Sequence, residues 1–359
     1  MTRRIGIFGG TFNPIHSGHI GVALRAAAEH SLEKVLVIPA AHNPFKAESG
    51  FDALRWTLVK CACAPHPLLE PCDIELRRGG ESYTIDTVRE VKSRNPDAEL
   101  FFIIGEDNAG EVSRWREAEE LARLVRFVTF PRTRESSTEV RNRLSHGEPV
   151  KDLVPSAVDD FLSARGVVFD FGGVVSVSPF AGDGDELRPY CESLGLSRAA
   201  FDDGWRRFRA RWDGGECSFG EMYRLIFENG GLPPPTEAQL AELWRVDAEA
   251  WVKTLSRHTL ALMKDLKRIG KRLGVLSNMS EDFHERLFVP RCAEYSALLD
   301  MEVISGIERM VKPERRIYDL AAERMGLAPH ELLFLDDTEQ NVFAAKDFGW
   351  RSQIYRAEA

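Results

Sequence analysis

Two stretches of this chain gather residue types suited to handling phosphate groups. The first is Gly9-Gly10-Thr11-Phe12-Asn13-Pro14-Ile15-His16-Ser17-Gly18-His19. It follows an apolar run at 5–8 that reads as a strand, and it leads into a helical pattern starting near His19. Glycines at a strand-to-helix turn let a phosphate approach the backbone, and the helix N-terminus favours the anion. Two imidazoles three residues apart at such a turn fall on one side, where both can donate to phosphate oxygens. A second helix start, Ser136-Ser137-Thr138-Glu139-Val140-Arg141, offers hydroxyls, free N–H groups and a guanidinium that suit a triphosphate tail. Ser136 and Glu139 also have capping-box spacing. Lys46, in Asn43-Pro44-Phe45-Lys46 after the second strand, is a further candidate cation.

The second stretch begins at the apolar run from Val167, which ends in Asp170-Phe171-Gly172-Gly173. A carboxylate held at the edge of a sheet calls for a metal or phosphate partner, because burial alone is costly. Further on, a strand ends in Ser277-Asn278, Lys312-Pro313 follows the region 302–304, and another strand ends in Asp336-Asp337. A candidate nucleophile, a hydroxyl, a lysine and an acidic pair therefore all fall at strand ends or just beyond them.

The elements that must position these groups follow a regular alternation. Short apolar runs rich in β-branched residues and Phe fall at 5–8, 35–39, 100–104 and 125–130, then at 167–171, 273–277, 302–304, 332–335 and 352–355. Strands apolar along their whole length imply parallel sheets covered on both faces, and the intervening helical patterns imply α/β architecture in both halves. At 359 residues the chain exceeds what one core usually serves, so two domains are expected. They are read as 1–165 and 166–359. Residues 156–164 form a helix that Gly166 stops before a new strand opens at Val167. Residues 178–259 lack strand signals and read as a helical insertion in the second domain, interrupted by Pro233-Pro234-Pro235.

Composition narrows the partners. The net charge of −9 provides no global field favouring nucleic acid or an anionic membrane. No apolar run approaches the roughly 20 residues that a bilayer requires, and the N-terminal apolar stub is too short for a secretion signal, so a cytoplasmic protein is expected. None of the six cysteines forms a C-x-x-C pair, which suits reduced thiols. Homo-oligomerisation stays open.

These motifs carry two family resemblances. Residues 1–165 resemble the nicotinate-nucleotide adenylyltransferases of the HxGH nucleotidyltransferase superfamily, through Gly9–His19 and Ser136–Arg141. Ser82-Tyr83-Thr84-Ile85-Asp86-Thr87 looks like that family's pyridine-nucleotide segment, Gly105-Glu106-Asp107 like its adenosine-side turn, and Trp115 like its aromatic position near the nicotinate. The resemblance implies transfer of AMP from ATP to nicotinate mononucleotide with Mg²⁺. His16, His19, Lys46 and Arg141 would stabilise the triphosphate. Gly9, Gly10, Thr11, Phe12, Gly105, Asp107, Ser136, Ser137 and Thr138 would bind nucleotide, and Tyr83, Thr84 and Trp115 the acceptor. Residues 166–359 resemble the haloacid dehalogenase superfamily, a Rossmann-like fold with a helical cap. That likeness implies Asp170 as a nucleophile forming an aspartyl-phosphate, with Ser277 and Lys312 on the phosphoryl oxygens. Mg²⁺ would sit on Asp170, Asp337 and the Gly172 carbonyl, with Asp336 close by.

Three positions depart from these families. Phe45 stands where a His usually precedes the Lys. Only residues 131–135 link the fourth strand of the first half to Ser136, where the family has a few tens of residues and another strand. Gly172 stands where most phosphatases of the second family carry an acid–base Asp. CTP in place of ATP, and a phosphonate or sugar phosphate as acceptor, therefore remain alternatives. The second domain is then a phosphatase of the same pathway or an inactive binding module.

Overall fold

The structure is a computed structural model that describes residues 3–42, 50–177 and 185–358. The chain divides into two compact units, Met1–Ser163 and Ala164–Ala359. Each holds one five-stranded, wholly parallel sheet. These are two doubly wound, Rossmann-like α/β folds.

In the first unit β1 (Arg4–Gly10), β2 (Lys34–Pro39), β3 (Leu69–Pro71), β4 (Glu99–Gly105) and β5 (Val125–Phe130) run in the order β3-β2-β1-β4-β5. The chain moves outward from β1 through β2 to β3, then returns to the other side of β1 to lay down β4. The strand order therefore reverses between β1 and β4, and a crevice opens there at the carboxyl ends of the strands. Gly9-Gly10 and Gly105 sit at those two ends. Strand β3 was not expected. It has three residues, Leu-Glu-Pro, too few for a pattern, and exists by pairing with β2. Strands β1 and β4 are apolar on both faces, whereas the edge strand β5 alternates buried and exposed residues. Ile7, Ile38, Phe102, Ile85 and Val88 join sheet and helices in one core.

In the second unit β6 (Gly166–Phe169), β7 (Arg272–Ser277), β8 (Met301–Ile304), β9 (Leu332–Asp336) and β10 (Arg351–Ile354) run in the order β10-β9-β6-β7-β8. The same reversal falls between β6 and β9, with Asp170 following one and Asp336 ending the other. Four helices, Leu187–Ser193, Arg198–Asp213, Phe219–Asn229 and Glu237–Lys253, form the insertion. Three of them start on a Ser or Thr cap: Ser197, Ser218 and Thr236 each accept a backbone N–H three residues on. Two boundaries differ from expectation. The helix Ser17–Glu29 begins two residues before His19, with His16 as its cap residue. Gly166 does not stop a helix: it opens β6, where a Cβ would lie 2.7 Å from Met325 and 2.8 Å from Leu327 and Leu332. Among the described residues no helix is long and apolar enough to cross a membrane.

Phe334, in the middle of β9, is fully buried among Val168, Tyr318 and Trp350. Phe334→Ala should destabilise the second unit by ~3–5 kcal/mol, the range for emptying an aromatic core site. Chemical denaturation of the full chain, followed through the second unit's transition, measures it.

Candidate functional sites

The first site is built where β1 ends. Ala40, just past β2, donates its N–H to the Gly10 carbonyl at 2.9 Å, so the two strand ends are held in register beyond the last paired residue. The chain then turns through Thr11–Pro14, with Phe12 at φ 46°, and enters the helix at His16. The His16 N–H donates to Nδ1 of His19 at 3.2 Å, which places the His19 ring proton on Nε2. The two rings stack at 3.6 Å. His16 is 5% exposed, and its Nδ1 has no hydrogen-bond partner. Burial pushes the His16 imidazole down to about 4, only partly opposed by the Glu135 carboxylate. At neutral pH it is therefore an uncharged, desolvated group able to respond to an arriving anion.

The second helix start closes on the same turn. Ser137 donates its hydroxyl to the Pro14 carbonyl at 2.9 Å, and Arg141 donates to the Asn13 carbonyl at 2.6 Å and to the Thr138 hydroxyl at 3.2 Å. Ser136 caps the helix by accepting the Glu139 N–H at 3.1 Å. The reciprocal half of the expected capping box is not made, because Glu139 pairs with Arg143 one turn on. The short segment 131–135 lies directly against the histidine turn. A Cβ on Gly18 would stand 2.1 Å from the Thr133 hydroxyl and 2.9 Å from the Glu135 carboxylate, so only glycine allows this contact.

One cavity of about 1110 Å³ is lined by Gly9, Gly10, Thr11, Phe12, His16 and His19 from the first motif. Ser136, Ser137, Thr138 and Arg141 line it from the second, Gly105 and Asp107 from the end of β4, and Tyr83, Thr84 and Trp115 from the opposite wall. Every residue singled out in this half borders that cavity except Lys46, which lies outside the described residues. Trp115 packs edge-on against Phe102 and Phe127, and Arg116 lies 4.8 Å above the Tyr83 ring. Sequence reasoning missed Arg55, Glu75, Thr133 and Glu135. Arg55 did leave a signal, a lone charge amid Ala53, Leu54, Trp56, Leu58 and Val59, all buried.

In the second site Lys312 is the hub. Its ammonium lies 2.9 Å from Asp170 Oδ1 and 2.6 Å from Asp336 Oδ2. Asp336 also accepts from the Thr338 N–H at 2.8 Å and from the Asn341 amide at 3.0 Å, so it is fully occupied at the end of β9. Lys312 is placed by Asn278, whose side-chain amide exchanges two hydrogen bonds with the Lys312 backbone, at 3.1 and 2.8 Å. Burial raises the Asp170 carboxyl to about 6, opposed by Lys312 and by the Ser277 hydroxyl, and reinforced by Asp336. Burial and Asp336 likewise raise half-buried Asp337. Oxygens of Asp170, Asp336 and Asp337 all lie within 4.8 Å of one another. One lysine does not balance three clustered carboxylates, so this set fits a hard divalent cation such as Mg²⁺. Gly173, at φ 76°, leaves room for Asp337: a Cβ there would come within 2.2 Å of its carboxylate. At Gly172 a Cβ would meet the Trp251 ring at 3.5 Å.

Fold and sites define a nucleotidyltransferase-like unit followed by a hydrolase-like unit, both enzyme classes. Residues 7–162 match the cytidylyltransferase-like family, and residues 164–349 the haloacid dehalogenase-like hydrolases. A protein of Shouchella clausii named "Probable nicotinate-nucleotide adenylyltransferase" is 38% identical over 188 residues, covering 47% of this chain and 98% of that protein. One of the same name from Synechococcus sp. is 35% identical over 198 residues, covering 47% and 96%. A haloacid dehalogenase family structure from Bacteroides thetaiotaomicron covers 55% of this chain and 96% of its own, with 20% identity and a TM-score of 0.43. The chain belongs to the nicotinate-nucleotide adenylyltransferase family through its first unit and to the haloacid dehalogenase-like hydrolases through its second.

The His16 environment makes a pH prediction. Folding lowers its affinity for the proton relative to the ordinary imidazole value of 6.5, so its neutral form contributes stability above that pH. That contribution should be lost as pH falls from about 6.5 towards about 4. Histidine ring shifts followed by NMR should show one imidazole titrating near 4; a midpoint at or above 6.5 for His16 rejects this environment.

Proposed function

We propose that the first unit transfers AMP from ATP to nicotinate mononucleotide, giving nicotinate adenine dinucleotide and pyrophosphate. The observation that carries this is the convergence of the stacked His16–His19 pair, Arg141 and the Ser136–Thr138 helix start on one cavity. An oxygen of the acceptor phosphate attacks the α-phosphorus, and the bond to the β-phosphate breaks with its electron pair leaving on pyrophosphate. No protein nucleophile is required. The chain's contribution is alignment of the two phosphates and stabilisation of the charge that builds on the leaving group. His19 donates through Nε2, Arg141 lends its guanidinium, and the glycines of the turn let the phosphates reach backbone N–H groups. Gly105 and Asp107 serve the nucleoside end, and Tyr83, Thr84 and Trp115 the pyridine end. Mg²⁺ bound to the triphosphate would neutralise part of its charge.

The second unit, on this reading, hydrolyses a phosphate ester: the Asp170 carboxylate attacks phosphorus, the ester P–O bond breaks with its electron pair leaving on the alcohol oxygen, and water then attacks the aspartyl-phosphate to release orthophosphate and regenerate Asp170. Ser277 and Lys312 hold the phosphoryl oxygens, and Lys312 holds the free Asp170 carboxylate in place before attack and after release. Asp170, Asp337 and the Gly172 carbonyl would hold Mg²⁺, with Asp336 close by, and its charge would offset that of the carboxylates and the phosphate.

Incubating the chain with Mg²⁺, nicotinate mononucleotide and either ATP or CTP, and weighing the products, tests the first assignment. ATP should give the dinucleotide, and His19→Ala should lower its rate on the order of 10²–10³-fold. Product from CTP alone would move the base assignment to cytosine. Asp170→Asn should abolish phosphate release from any ester that the wild-type chain hydrolyses. Release at the wild-type rate would remove Asp170 as the nucleophile.

A further inference from the structure

Arg55 is 1% exposed, and among the described residues its hydrogen bonds end on turns that shape the first cavity or at the start of its own helix. Its Nη1 donates to the Thr11 carbonyl at 2.6 Å, in the glycine-rich turn. Its Nη2 donates to the Ala40 carbonyl at 2.7 Å and to the Asp52 carboxylate at 2.7 Å, and its Nε to the Gly50 carbonyl at 3.1 Å. From Ala40 the connection passes on. The N–H of Ala41 donates to the Ser82 hydroxyl at 3.0 Å, and that hydroxyl stands on the side of Glu75, whose carboxyl is raised by burial and held back by Thr87 and Ser82. Glu75 is 7% exposed and also accepts from the Thr87 hydroxyl at 2.7 Å, which itself accepts from Arg78 at 2.9 Å. Ser82 immediately precedes Tyr83 and Thr84. Thr11, Ala40, Glu75 and Ser82 all line the cavity.

We propose that Arg55, Ser82 and Glu75 form a buried polar relay that fixes the nucleotide end of the cavity relative to its acceptor end, acting as positioning residues for nucleotidyl transfer. The proposal rests on the transferase reading above. The physical case is one of unsatisfied alternatives. A guanidinium and a carboxylate buried in one unit are each costly to strand, so both hold their partners in a single arrangement. The partners of Arg55 are carbonyls of two different strand-end turns. A fork with five donors can join them at fixed spacing, and an ammonium cannot. In-line transfer requires the α-phosphorus and the acceptor oxygen to meet within a few tenths of an ångström, and the relay spans the two walls that carry them.

The test uses the full chain, with kcat and both KM values measured alongside the melting temperature. Arg55→Lys keeps the charge and loses the fork; Glu75→Gln keeps the shape and loses the charge; Ser82→Ala removes one half-buried hydroxyl. Folded Arg55→Lys should melt lower, because carbonyls are stranded, and should lose kcat on the order of 10²-fold when assayed well below its own melting temperature. The double variant Arg55→Lys/Glu75→Gln should be little slower than the slower single variant, because both break one relay. Added guanidinium ions should restore part of the rate to Arg55→Ala. Wild-type kcat in folded Arg55→Lys, or losses that multiply in the double variant, would overturn the relay. If Arg55→Lys does not fold, Ser82→Ala decides: a fall in kcat supports the relay, and an unchanged kcat overturns it. If the wild-type chain makes no dinucleotide, the transferase reading fails separately. The relay is then judged by calorimetric affinity for ATP, which Ser82→Ala, remote from the glycine-rich turn, should weaken; equal affinity overturns it.

Discussion

Both units depend on one constraint: a parallel strand covered on both faces has room for polar chemistry only at its ends. Strands β1, β4, β6 and β9 are apolar almost throughout. Hydroxyls, imidazoles and carboxylates are therefore displaced to the residues just past the carboxyl termini. The order in which the strands are laid down then decides which ends share a crevice. In each sheet the chain leaves the central strand on one side and returns on the other, so β1 opens towards β4 and β6 towards β9. That reversal puts Gly10 beside Gly105 and Asp170 beside Asp336, although these pairs are far apart in sequence.

The two crevices solve the problem of a buried cation in opposite ways. Lys312 is a point charge set between carboxylates that themselves need a positive neighbour, and Asn278 fixes its backbone so that the ammonium reaches both. Arg55 is spread over carbonyls and one carboxylate, so it acts through direction more than through charge. A lysine suits the first setting, where in the proposed hydrolysis a phosphate would share the ammonium. An arginine suits the second, where the proposed relay needs fixed directions.

Much of this was legible in the sequence because it was local. Gly9–His19 and Ser136–Arg141 each form one turn with its helix start, and the reading of Asp170, Ser277, Lys312 and Asp336-Asp337 needed only that each follow a strand. What escaped was non-local. Strand β3 has three residues and is defined by its neighbour. The role of Gly18 depends on Thr133 and Glu135, more than a hundred residues away. Arg55 was passed over, because its partners at Thr11 and Ala40 lie outside its own helix. Gly166 was taken as a helix stop because a glycine after a helix usually is one; packing against Met325 and Leu332 gave it another use.

Position 172 shows how a departure from a family pattern can be read from what fills the space. A Cβ there would touch the Trp251 ring at 3.5 Å, an ordinary contact, so glycine is not forced by crowding at that atom alone. A carboxymethyl group would extend further, beside an indole that is held from two directions. Trp251 Nε1 donates to buried Asp247 at 3.1 Å, and its carbonyl accepts from the Ser176 hydroxyl at 3.1 Å. The ring also packs against Phe171 at 5.7 Å. The insertion thus brings an apolar wall to the place where the family usually sets a second carboxylate. Among the described residues of the insertion, buried Asp247 accepts from that indole through Oδ1, and partly buried Asp213 pairs with Arg209 at 2.7 Å. Gly172 and Trp251 are therefore one feature: the space that a carboxylate at position 172 would enter is bounded by an indole from the insertion.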